Sequence, residues 1–130
     1  MNTQDTDALI AIACGWTNLE PDGFGIRPGE TRLWNVASAL SIQAPVLAKS
    51  QIPRYHNDRN LLAAARDQLI NTPELRIRWV NTLRDVIGRT CARRNKLGKP
   101  LVSDIDLTFA TPEQLAETLV LTLKLKPAEL

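Results

Sequence analysis

One histidine, one tyrosine, one methionine and two cysteines occur among 130 residues. Each scarcity excludes something. His56 alone cannot supply a two- or three-histidine metal centre. It is also the only imidazole base available, and Asp58 follows it too closely to orient it from a separate element. Cys14 and Cys91 are far apart and lack C-x-x-C spacing, so neither a disulfide framework nor a zinc site is indicated. A reduced, cytoplasmic protein is the simplest expectation. The longest wholly apolar run, Ala8 to Cys14, is seven residues, far below the roughly 20 that cross a bilayer. No basic segment precedes it as a signal peptide requires, so no membrane role is expected. The stretch from Gly23 to Gly29 contains glycines but not the G-x-x-x-x-G-K-S/T of a phosphate loop. Asp104 and Asp106 read as solvent-facing strand positions and not as a cation site. The chemistry therefore points to no catalytic residue, no metal and no cofactor, and the expectation is a protein that is not an enzyme.

With 44% hydrophobic and 23% charged residues, the composition is that of one folded domain over residues 1–130. Leu9, Ile12, Ala13 and Trp16 recur at helical spacing from Thr6, with Gly15 as C-cap. Residues 17 to 52 read as a long irregular connection, in which Trp34 and Val36 sit on a short strand or residues 32 to 40 form a short helix. Stronger signals give helices over 57 to 71, 73 to 93 and 112 to 124. Asn57 caps the first, Thr72-Pro73-Glu74 opens the second and the Thr111-Pro112-Glu113-Gln114 capping box opens the third. Ile105, Leu107 and Phe109 alternate with Asp106 and Thr108 as a half-buried strand would, its partner coming from the Trp34 region. The expected fold is a helix-dominated α+β domain with three to four helices and a short antiparallel strand pair. Its core is expected to hold Leu9, Ile12, Leu62, Leu69, Trp79, Leu83, Ile87, Phe109, Leu115 and Leu119. The apolar surface left by one long amphipathic helix suggests a two-fold homodimer.

A net charge of +2 conceals an uneven distribution. Residues 1 to 53 sum to −2, residues 54 to 99 to +7 and residues 100 to 130 to −3. Arg78, Arg89, Arg93 and Lys96 fall opposite Trp79 and Leu83 and form a basic face. The densest chemistry lies in Ile52-Pro53-Arg54-Tyr55-His56-Asn57-Asp58-Arg59-Asn60, at a helix start with arginine on both sides. A helix N-terminus offers N–H groups to an anion, a ring can stack on a base, and arginine can pair with phosphate. Arg54, Tyr55, His56 and Arg59, with Trp16 and Trp34 brought alongside, are the expected binding residues.

That same stretch resembles the L-P-x-Y-x-x-D-L-N segment of a group of small tailed-phage proteins, the phage ABA-sandwich (α-β-α) group. Gly15-Trp16-Thr17 and Trp34 are similar to its Gly-Trp and lone Trp positions. Phe109-Ala110-Thr111-Pro112-Glu113-Gln114 is similar to its A-T-A-x-Q-R helix entry. Arg59 stands where the group has Leu, and Leu115 where it has Arg. The resemblance implies a phage or prophage origin and an accessory, non-virion role, and it brings no catalytic residues. The first functional expectation is a non-enzymatic binder in the host cytoplasm that sequesters a nucleotide signal or blocks a defence protein. Its partner would be an anionic small molecule or a host protein. The alternative is a nucleic-acid or nucleoprotein interaction module using the basic face.

Overall fold

Thr111 and Pro112 start the helix on which the other long elements pack. In the computed structural model, which describes residues 3–34, 46–91 and 93–125, the Gln114 N–H donates to the Thr111 hydroxyl at 3.1 Å, and the Thr111 N–H donates to Gln114 Oε1 at 2.9 Å. Two orphan donors are satisfied reciprocally. The resulting helix runs from Pro112 to Leu123 and is the last of five among the described residues, here α5. Ala116, Leu119 and Val120 are buried on it together with Thr118 and Thr122. Each threonine hydroxyl donates at 2.7 Å to the carbonyl four residues earlier, so neither buried oxygen lacks a partner.

Three helices lie against that face. Helix α1, Thr3–Ala13, buries Leu9, Ile10 and Ala11. Ile12 was expected in the core but is exposed, because the inward stripe centres on Ile10 and a residue two positions on is about 200° around the helix. Helix α2 is Arg59–Leu69, and its cap is Asp58, not Asn57: Asp58 Oδ1 accepts from the N–H groups of Asn60 and Leu61. Tyr55–Asn57 forms a single 3₁₀ turn leading into it. Helix α3, Pro73–Gly88, begins at Thr72 as the sequence requires, and the strand alternative at Leu75 to Trp79 is not adopted. Leu62, Leu83, Ile87 and Leu119 are buried, while Leu69, Trp79 and Leu115 are half-buried and packed against the core.

The expected continuation of α3 to residue 93 does not occur. A hairpin turns back after Gly88, with Arg94 bridged to Pro100 and the Leu101 N–H donating to the Arg93 carbonyl. Pro100 then lies on Gly88, where an added Cβ would stand 2.9 Å from the proline Cγ. The predicted strand at Ile105 to Phe109 is instead a short helix, α4, Asp104–Thr108. Its cause is a second capping box: Asp106 Oδ2 accepts the Ser103 N–H at 2.9 Å, and the Ser103 hydroxyl accepts the Asp106 N–H at 3.3 Å. One turn of helix places Ile105 and Phe109 on a common outer face, so Phe109 is 73% exposed and not a core residue.

Among the described residues the strands form two short antiparallel ladders. Phe24–Gly25 (β1) pairs with Ser50–Gln51 (β4), and Leu33–Trp34 (β2) pairs with Val46–Leu47 (β3). The Trp34 strand thus finds its partner within the long connection and not at 105 to 109. Val36 lies outside the described residues. The fold is a helix-dominated α+β arrangement, and no helix among the described residues is long and apolar enough to cross a membrane.

The close approach at Gly88 is directly testable. Gly88→Ala is expected to lower stability in urea unfolding by about 1 to 3 kcal/mol through overpacking, with Pro100→Ala recovering part of the loss. Unchanged unfolding of Gly88→Ala would show that this contact does not constrain the end of α3.

Candidate functional site

The residues from Arg54 to Arg59 are adjacent in sequence and diverge in space. Tyr55 points into the core with Trp16, and both are buried. The Tyr55 hydroxyl lies beside the Cys14 thiol and the Trp16 side chain. Burial, then the Cys14 neighbour, pushes the Tyr55 phenol well above its ordinary range. Burial also raises the Cys14 thiol, against the lowering effect of the neighbouring Tyr55 hydroxyl. Rings committed to the core in this way are not available for stacking on a ligand. Trp34 lies on β2, and its side chain is outside the described residues.

His56 acquires a partner that the sequence did not indicate. Asp7, buried on α1 and 49 positions away, accepts the His56 backbone N–H at 2.9 Å through Oδ1. Its Oδ2 lies 2.6 Å from His56 Nδ1. This pair ties α1 to the 3₁₀ turn. The only hint in the sequence is an acid three residues before Ile10, on the inward side of the helix. Arg54 and His56 line a cleft of about 700 Å³ whose other polar walls are Asp5, Asp7, Glu20, Asp22 and Gln51. Glu20 is paired with Lys49. Carboxylates outnumber cations there, which opposes an anionic ligand.

Arg59 turns to the opposite side of α2. Its guanidinium donates to the Thr108 carbonyl at 3.0 Å and lines a second cleft, of about 360 Å³, between α2, α3 and α4. Asn60, Arg66, Trp79 and Thr108 share this cleft, and Leu62, Leu107, Leu115 and Leu119 are its apolar lining. The Arg66 guanidinium lies 5.4 Å from the centre of the Trp79 ring. No carboxylate lines this space. Arg59 and Arg66 are seven residues apart, two turns on one helical face, so this pairing was present in the sequence pattern. Two guanidinium groups beside an indole can hold a planar anion: the cations pair with its charged oxygens while the aromatic and aliphatic lining covers its ring.

The expected basic face is largely occupied by internal partners. Arg78 donates to the Thr122 carbonyl at 3.5 Å, and Arg89 forms an ion pair with Glu117. Arg93 lies beyond the end of α3 and is 3.0 Å from Asp106. Lys96 is in the hairpin, so the four residues do not form one helical stripe. Comparison with family models, curated proteins and solved structures finds no match to this chain.

The buried Tyr55 phenol and the half-buried Cys14 thiol predict alkaline sensitivity. A phenol or thiol whose folded pKa is raised contributes stability below its unfolded value, about 10 for Tyr and 8.5 for Cys, and loses it as pH climbs toward the folded value. Urea midpoints are therefore expected to fall progressively above about pH 8.5, and Tyr55→Phe with Cys14→Ala is expected to flatten that decline. An unchanged alkaline slope in the double variant would assign the effect elsewhere. Separately, Asp7→Ala should cost about 1 to 3 kcal/mol by leaving the His56 N–H without its acceptor, and Asp7→Asn less, measured by the same unfolding.

Proposed function

We propose that this is a non-enzymatic binding protein that takes a small anionic ligand with a planar ring in the cleft between α2, α3 and α4. The supporting observation is the convergence of Arg59, Arg66 and Trp79 in a space without a carboxylate. A volume of about 360 Å³ is at the lower end of the range for small-molecule sites. Guanidinium groups pair with phosphate oxygens in a planar, two-point geometry that lysine does not reproduce. A nucleotide combines the ring and the anion that such a lining favours. Together with the sequence resemblance to small phage proteins, this supports an accessory role in which a phage product sequesters a nucleotide signal inside its host. Sequestration asks for tight retention and no turnover. The cleft lining, which has no His, Cys, Asp or Glu, suits that task.

Isothermal titration with linear and cyclic mononucleotides tests this reading. At least one is expected to bind with Kd below about 100 μM, equivalent to roughly 5.5 kcal/mol. Arg59→Ala and Arg66→Ala should each weaken it by about tenfold or more, whereas Arg54→Ala in the acidic cleft should leave it unchanged. Absence of binding across the set, or equal sensitivity to Arg54→Ala, overturns the assignment.

A further inference from the structure

The hairpin after α3 and the short α4 hold four large apolar side chains out to solvent. Leu97 is 83% exposed, Leu101 47%, Ile105 68% and Phe109 73%. Ile105 and Phe109 stand one helical turn apart on the same side of α4. The unit that carries these residues is tied down. The Leu101 N–H donates to the Arg93 carbonyl at 2.9 Å, and the Arg93 guanidinium joins the hairpin to Asp106 at 3.0 Å. Bonds from Ser103 hold the Asp106 carboxyl below its usual range, with Arg93 adding to the effect. Leu107, on the other side of α4, packs against Leu83, Ile87 and Ala110.

The charges that the hairpin itself carries are all of one sign. Arg94, Lys96 and Lys99 lie along the hairpin, and none has an ion-pair partner among the described residues. Asp106 is already engaged by Arg93, so Asp104 is the remaining acid of α4. From this combination we infer that the hairpin and α4 dock an acidic amphipathic helix of a partner protein. The partner's apolar stripe covers Ile105 and Phe109, and its carboxylates meet Lys96 and Lys99. A second copy of this chain would set like charges against one another. Nucleic acid would gain little from the exposed leucine, isoleucine and phenylalanine. A five-residue helix is too short to lie along a lipid surface as amphipathic anchors do.

Fluorescence anisotropy decides the matter with an 18-residue helical peptide of leucine and glutamate and its counterpart of leucine and lysine. The acidic peptide is expected to bind at least about tenfold more tightly than the basic one, and more weakly as salt rises. Ile105→Ser with Phe109→Ser should remove binding, and Lys96→Glu with Lys99→Glu should reverse the preference. These side chains are exposed, and circular dichroism checks that the fold persists. Equal binding of both peptides, or binding of neither, overturns the inference. So does binding only to anionic vesicles, or a concentration-dependent dimer in sedimentation that Phe109→Ser abolishes.

Discussion

Helix α5 has to be dry and close-fitting on its inner side, because α1, α2, α3 and the 3₁₀ turn all pack on it. Ala116, Leu119 and Val120 provide apolar surface, and the two buried threonines fill the remaining positions without an unsatisfied hydroxyl. The direction of α3 against α5 follows from its contacts. Arg78 near the start of α3 reaches Thr122 near the end of α5, and Arg89 just beyond α3 reaches Glu117, so the two helices run antiparallel. That arrangement sets Trp79 near Leu115 and Leu119 and brings it under Arg66 of α2. The candidate ligand cleft is therefore a product of the central packing and not of a specialised loop.

Helix starts were the most legible part of the sequence, because a cap is a local agreement among three or four residues. Thr72 with Pro73, and Thr111 with Gln114, act as their spacing requires. The Ser103 and Asp106 box is of the same kind, yet period-two alternation from Ile105 to Phe109 hid it. Over five residues, alternation and a single helical turn are hard to tell apart. The end of α3 was not legible, since it depends on Pro100 folding back onto Gly88. Residues 54 to 59 illustrate the other limit. Tyr55 enters the core from the 3₁₀ turn, while Arg54 before that turn and Arg59 at the start of α2 face different clefts. The Asp7 partner of His56 is set by tertiary packing alone.

Charge summed in blocks identified a cationic region but could not say which cations were available. Glu117 and Asp106 come from the acidic last third of the chain and sit on Arg89 and Arg93. Exposed pairs of this type add about 0 to 1 kcal/mol to stability. Their larger consequence is local: a guanidinium that faces a carboxylate offers less to a phosphate. The arginines with no strong carboxylate partner matter more for recognition. Arg59 rests on a carbonyl, and the Asp67 carboxylate approaches Arg66 only at 3.4 Å while the Arg66 guanidinium lies by the Trp79 ring.

Helix α4 stands between the two proposed surfaces, and its size makes them interdependent. Leu107 and Thr108 line the ligand cleft, while Ile105 and Phe109 face outward. Five residues cannot bury much area, so the attachment of α4 relies on Leu107 and on the Arg93 and Arg59 bonds. An anion that drew Arg59 away from the Thr108 carbonyl would remove one of those bonds while gaining a charged contact of its own. A partner helix resting on Ile105 and Phe109 would press α4 toward the body and favour the bond that the anion weakens. Binding at the two surfaces would then be mutually opposing, and linkage requires each to weaken the other by the same factor.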